Sequence, residues 1–98
     1  EGLTMSTVRG HSATMQTVQL NRGDDILYGF ADLIPTTAHL SPAWIMGYDL
    51  FPVETLAAKK ELLARAVAEN WICLVYHDLN SPLCRISAHD HRFFAEPI

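Results

Sequence analysis

Trp71-Ile72-Cys73-Leu74-Val75-Tyr76 is an unbroken apolar run, the pattern of a strand with both faces buried. Only one segment of the chain reads as a helix long enough to help bury it. Pro52 fits the first turn of a helix running to about Glu69, with Glu54 near its positive end. Asn70 tolerates the left-handed conformation that ends a helix. At helical period, Val53, Leu56, Ala57, Leu63, Ala64 and Val67 form an apolar stripe. Glu54, Glu61, Arg65 and Glu69 form the wet face, with Glu61 and Arg65 in the favourable i,i+4 order. Lys60 falls inside the apolar arc, where a lysine either buries its stem and extends its ammonium to water or lines a cleft.

The remaining elements are short. Leu3 to Val8 alternates polar and apolar residues, and Thr17 to Leu20 and Ile26 to Phe30 read as two more strands joined by Asn21-Arg22-Gly23-Asp24. Leu83 to Ser87 and Arg92 to Ala95 form a closing hairpin around Ala88 to His91. Asp32 to Pro52 is a long loop, and its Trp44, Ile45, Met46 and Tyr48 are too apolar for a disordered one. The order predicts a single α/β (α+β) domain over residues 1–98, with one mixed β-sheet and one principal helix packed on a face. One helix cannot cover both faces of such a sheet. A second layer is therefore expected, from a homodimer or higher oligomer or from another segment.

Composition narrows the partners. An apolar fraction of 49% in 98 residues is ample for one core. A net charge of −4 without clustered Lys and Arg argues against binding nucleic acid. No apolar run approaches the length of a membrane span. Cys73 and Cys84 do not form a CxxC unit and read as reduced, buried thiols of a cytoplasmic protein. The chain opens on Glu1-Gly2-Leu3-Thr4 with neither a basic leader nor an initiator Met, as expected of a processed or excised segment.

Three polar side chains stand where apolar runs end: His11 in Gly10-His11-Ser12, Asp32 in Asp32-Leu33-Ile34-Pro35-Thr36, and His77 in Tyr76-His77-Asp78. Two imidazoles and a carboxylate are the donors of a zinc, iron or manganese site. Taken one by one, each has a plainer reading, as a turn histidine, a turn-capping aspartate and a strand-end histidine. Together with Ala38-His39-Leu40, Tyr48-Asp49-Leu50 and the Glu54-Thr55-Leu56 helix start, these segments make the chain resemble the second half of metallo-β-lactamase-fold hydrolases. The resemblance runs over nearly the whole chain.

That resemblance implies half of an αββα sandwich. It also implies that His11, Asp32 and His77 are ligands of a two-metal centre, with Asp32 bridging; His39, in a context resembling one branch of the family, either faces the cleft or is an ordinary loop histidine. Zinc, iron or manganese would hold a water there and bring its pKa toward neutrality. The sequence departs from the family in three respects. Ala31 stands where a Gly usually precedes the bridging Asp, Thr14 and Met15 stand where Gly-His is common, and the His-x-His-x-Asp-His cluster of the first half is absent. The expectation is thus a metal-dependent hydrolase whose C-terminal portion is inactive alone, or, alternatively, a structural or interaction domain with a degenerate site. His89 and His91, flanking Asp90, read as a solvated turn rather than as that cluster.

Overall fold

The computed structural model describes residues 2–41, 50–78, 82–90 and 92–98. Six strands form one sheet in sequence order: β1 (Gly2–Thr7), β2 (Gln16–Arg22), β3 (Asp25–Gly29), β4 (Ile72–Leu74), β5 (Leu83–His89) and β6 (Arg92–Pro97). Every neighbouring pair is antiparallel except β3 and β4. A parallel pair needs a long crossover, and the helix α1 (Pro52–Ala68) lies within it. The β2–β3 hairpin closes through Gly23 and Asp24, with Gly23 at φ +60 in a place where tight turns favour Gly. Asn70, at φ +55, follows the helix as its sequence predicts.

The core lies between α1 and one face of the sheet. Tyr28, Trp71, Cys73, Val75, Cys84 and Ile86 point into it, and Leu62, Leu63 and Ala66 meet them from the helix. Tyr28 stacks on Trp71 with ring centroids 4.4 Å apart, and its hydroxyl lies 2.6 Å from Thr17 Oγ1, which satisfies both buried groups.

Two expectations change in detail. The apolar run at 71–76 alternates instead of being buried on both faces: Trp71, Cys73 and Val75 are buried, while Leu74 and Tyr76 are exposed. The reason is that this chain supplies cover on one side only. Strand register places Leu3, Leu20, Leu27 and Ile72 in one row across the sheet, and Met5, Val18, Gly29, Leu74 and Leu83 in the next. Both rows lie on the face away from α1, where Leu3 is 67% exposed.

The helix is also rotated relative to its predicted stripe. Its buried residues are Thr55, Lys59, Leu62, Leu63 and Ala66, while Val53 is 79% exposed and Lys60 faces out. Two polar residues occupy the inward arc against neighbours distant in sequence. Thr55 packs on Gly10, and Lys59 Nζ donates to the Ser41 carbonyl at 3.0 Å. Among the described residues Arg65 pairs with Glu69, at 3.6 Å. The reading of Trp44, Ile45, Met46 and Tyr48 lies outside the described residues. Among the described residues, no helix is long and apolar enough to cross a membrane.

Cys73 and Cys84 face each other across β4 and β5, both buried and both free. Burial pushes the Cys73 thiol up to about 12, with Cys84 adding to the effect, and burial raises Cys84 as well. An unfolded thiol ionises near pH 9, so the unfolded chain sheds its proton first as pH rises. The contribution of Cys73 should be complete below pH 9 and lost toward about 12, at roughly 1.4 kcal/mol per pH unit. Denaturant unfolding between pH 8 and 11 tests this. The same pH dependence in Cys73→Ala would refute it.

Candidate metal centre

β1, β3 and β4 run in the same direction, since β2 is antiparallel to both β1 and β3 and β4 is parallel to β3. Their C-terminal ends therefore reach one edge of the sheet. His11, Asp32 and His77 each lie just beyond one of those ends, so topology brings together residues far apart in sequence.

Each loop is fixed by its own hydrogen bonds. The His11 loop is tied to the start of α1: Phe51 N–H donates to the Gly10 carbonyl at 2.8 Å, and Leu50 N–H to that of His11 at 3.2 Å. Gly10 is required there, because a Cβ would come within 2.4 Å of Thr55 Oγ1 and 2.9 Å of its Cα. Arg9 adds an ion pair with Glu54 and lies over the Phe51 ring, 3.8 Å from its centroid. Asp32 sits in a 3₁₀ turn, Ala31–Leu33, which follows β3.

His77 is held against the Asp32 segment. Its N–H donates to the Pro35 carbonyl at 3.0 Å. The Asp78 carboxylate accepts from Thr37 N–H at 2.9 Å and Thr37 Oγ1–H at 2.7 Å, at the start of a second 3₁₀ turn, Thr37–Leu40.

The three side chains meet at the carboxylate. His11 Nε2 lies 3.3 Å from Asp32 Oδ2, and His77 Nε2 lies 3.2 Å from Oδ1. Tyr76 Oη–H donates to Oδ1 at 2.6 Å. The side chains are 22% (His11), 28% (Asp32) and 58% (His77) exposed, so the cluster opens to solvent on the His77 side. This is one carboxylate shared between two nitrogen donors. Among the described residues, no three His, Cys, Asp or Glu side chains gather about one point to hold a single ion. The donor types suit divalent zinc, iron or manganese, and each side offers one imidazole nitrogen and one carboxylate oxygen.

Other candidates fall elsewhere. His39 lies on the second 3₁₀ turn, with Nδ1 2.8 Å from Thr36 Oγ1. Lys60 lines a separate open groove of about 580 Å³ with Ala64, Val67, His89 and Phe93. His89 and Asp90 are both exposed in the last hairpin, 3.3 Å apart, and His91 lies outside the described residues. Sequence reasoning missed Tyr76, Asp78 and Gly10. The only signal was adjacency to a donor candidate.

No protein-family model matches this sequence, and no curated protein matches it. Solved structures do. A probable metal-dependent hydrolase from Staphylococcus aureus superposes with a TM-score of 0.88 at 24% identity, over 99% of this chain and 35% of that one. AidC, a dizinc quorum-quenching lactonase, gives 0.86 at 19% identity, over 98% of this chain and 33% of its own. The hydrolase AbOPH, of the β-lactamase superfamily, gives 0.87 at 14% identity, over 100% of this chain and 35% of its own. These likenesses establish the fold alone: this chain shares the architecture of part of each of these three proteins and spans about a third of the length of each.

Ala31, the departure at the position before Asp32, sits at φ +52. A Cβ in that region costs about 1–2 kcal/mol, part of which a glycine returns through greater freedom of the unfolded chain. Ala31→Gly should therefore raise stability by about 0.5–1 kcal/mol. Denaturant unfolding measures it. A loss of stability would mean that contacts of the Ala31 methyl outweigh the backbone strain.

Proposed function

We propose that this chain is the C-terminal portion of a metal-dependent hydrolase and supplies His11, Asp32 and His77 to a two-metal centre in which Asp32 is the shared ligand. One observation carries the reading: the two oxygens of Asp32 face two different imidazoles, at 3.3 and 3.2 Å. The dizinc lactonase and the metal-dependent hydrolase of like fold support it. Imidazole and carboxylate donors suit zinc, iron or manganese. Bound there, such ions supply a low-pKa water and polarise the carbonyl or phosphoryl group of an ester-type substrate.

The chain's own residues hold and orient. His11 and His77 present Nε2 toward Asp32 from opposite sides, and the Gly10–Phe51 and Asp78–Thr37 contacts keep the two loops in place. One nitrogen and one oxygen per ion fall short of the three or four protein ligands that zinc sites use. A further segment therefore completes the shell. Alone, this chain should bind zinc weakly and hydrolyse lactones, thioesters and phosphoesters at no enzymatic rate.

Zinc titration followed through histidine ring resonances tests the centre. His11 and His77 should respond together, and Asp32→Ala should weaken binding by more than about tenfold. A response confined to His89, or one insensitive to Asp32→Ala, would refute the reading.

A second reading, an interaction domain that assembles as a homodimer, draws on the sheet face away from α1. Leu3, Met5, Leu74, Leu83 and Phe94 are exposed on it, forming a patch of the kind that monomers rarely leave in water. In the hydrolase reading a second β-layer covers this face. In the isolated chain, a second copy takes that place through a self-complementary two-fold contact. Light scattering should give a dimer that Met5→Glu or Leu74→Glu separates. A folded, monodisperse monomer of 11.0 kDa would rule it out.

A further inference from the structure

We infer that Tyr76 is a positioning residue of this centre, fixing the Asp32 carboxylate through its phenol and the His77 imidazole through its ring before any ion arrives. The inference rests on reading His11, Asp32 and His77 as metal ligands. Two contacts on one side chain carry it. The hydroxyl donates to Asp32 Oδ1 at 2.6 Å, a length typical of an O–H bond to a charged carboxylate. The ring lies against His77, with centroids 4.2 Å apart and planes tilted by 39°.

The backbone explains why both contacts are possible. Successive residues of a strand point to opposite faces, so a strand continuing through 76 and 77 would send the two rings apart. β4 stops at Leu74. Asp78 N–H then closes a turn onto the Val75 carbonyl at 3.1 Å, and His77 N–H reaches Pro35. The turn brings Tyr76 and His77 to the same side, over Asp32.

The contact has a chemical consequence. The terminal torsion of an aspartate is soft, so the carboxylate plane can turn away from the two histidines at little cost. The phenol bound to one of its oxygens holds that plane, with Oδ2 toward His11 and Oδ1 toward His77. A carboxylate oxygen has two lone pairs. Oδ1 can thus keep the phenol while it binds an ion, and Tyr76 supports the ligand without competing for it. The ring contact matters most for His77, the most exposed of the three at 58%.

The test is zinc titration of this chain and three variants, read from the histidine ring resonances with unfolding temperature measured in parallel. Tyr76→Phe keeps the ring and removes the hydroxyl. It should weaken zinc binding by about 10- to 100-fold at an unchanged unfolding temperature, with the metal-free His77 resonances little moved. Tyr76→Ala should weaken binding at least as much and also shift the metal-free His77 resonances. If Asp32→Ala abolishes zinc binding while Tyr76→Phe leaves it intact, the role of Tyr76 is overturned and the metal centre stands. If zinc binding is absent, or ignores Asp32→Ala, the centre falls and Tyr76 has nothing to position.

Discussion

The parallel pairing of β3 with β4 is the constraint on which the rest of the molecule depends. Two parallel strands cannot be joined by a tight turn, so the chain must leave the sheet and return, and α1 lies in that return. The helix then packs on one face and gives the core its second wall. The same pairing aligns the ends of β3 and β4, and the β1–β2–β3 meander adds the end of β1 at the same edge. Core and candidate centre are two results of one topological requirement.

Much of this was legible in the sequence, for reasons that differ by element. Turn chemistry at Gly23 and Asn70, the Pro52 helix start and the short strand patterns each reported local backbone preference, and the succession of elements followed; the pairing order of the strands did not. His11, Asp32 and His77 were singled out by their places at the ends of apolar segments and by the family resemblance around them, and the fold brings them to one edge of the sheet. The inward face of α1 was not legible. The apolar stripe read from the sequence left out Thr55 and Lys59, and only tertiary contacts reveal their burial, Thr55 packing on Gly10 and Lys59 donating to the Ser41 carbonyl. Tyr76 was hidden for a similar reason. Its place in an apolar run suggested a strand, and nothing local announced that the strand ends at Leu74.

The run at 71–76 carries information that a single layer does not explain. Apolar residues on both faces of β4 are economical only when both are covered, yet the described residues bury one. The rows through Leu3, Leu20 and Ile72 and through Met5, Leu74 and Leu83 extend that surplus across the sheet. The sequence is thus suited to a thicker molecule than α1 and one sheet make.

The three proposed donors, His11, Asp32 and His77, stand outside the hydrophobic core, on loops whose backbone is held by hydrogen bonds of its own. Folding therefore has little stake in their identity. If they serve a metal as proposed, a lineage released from it could exchange His77, 58% exposed, for another polar residue and keep the sheet, the helix and the Trp71–Tyr28 stack. Sites built this way decay silently, because the scaffold neither rewards the ligands nor suffers from their loss.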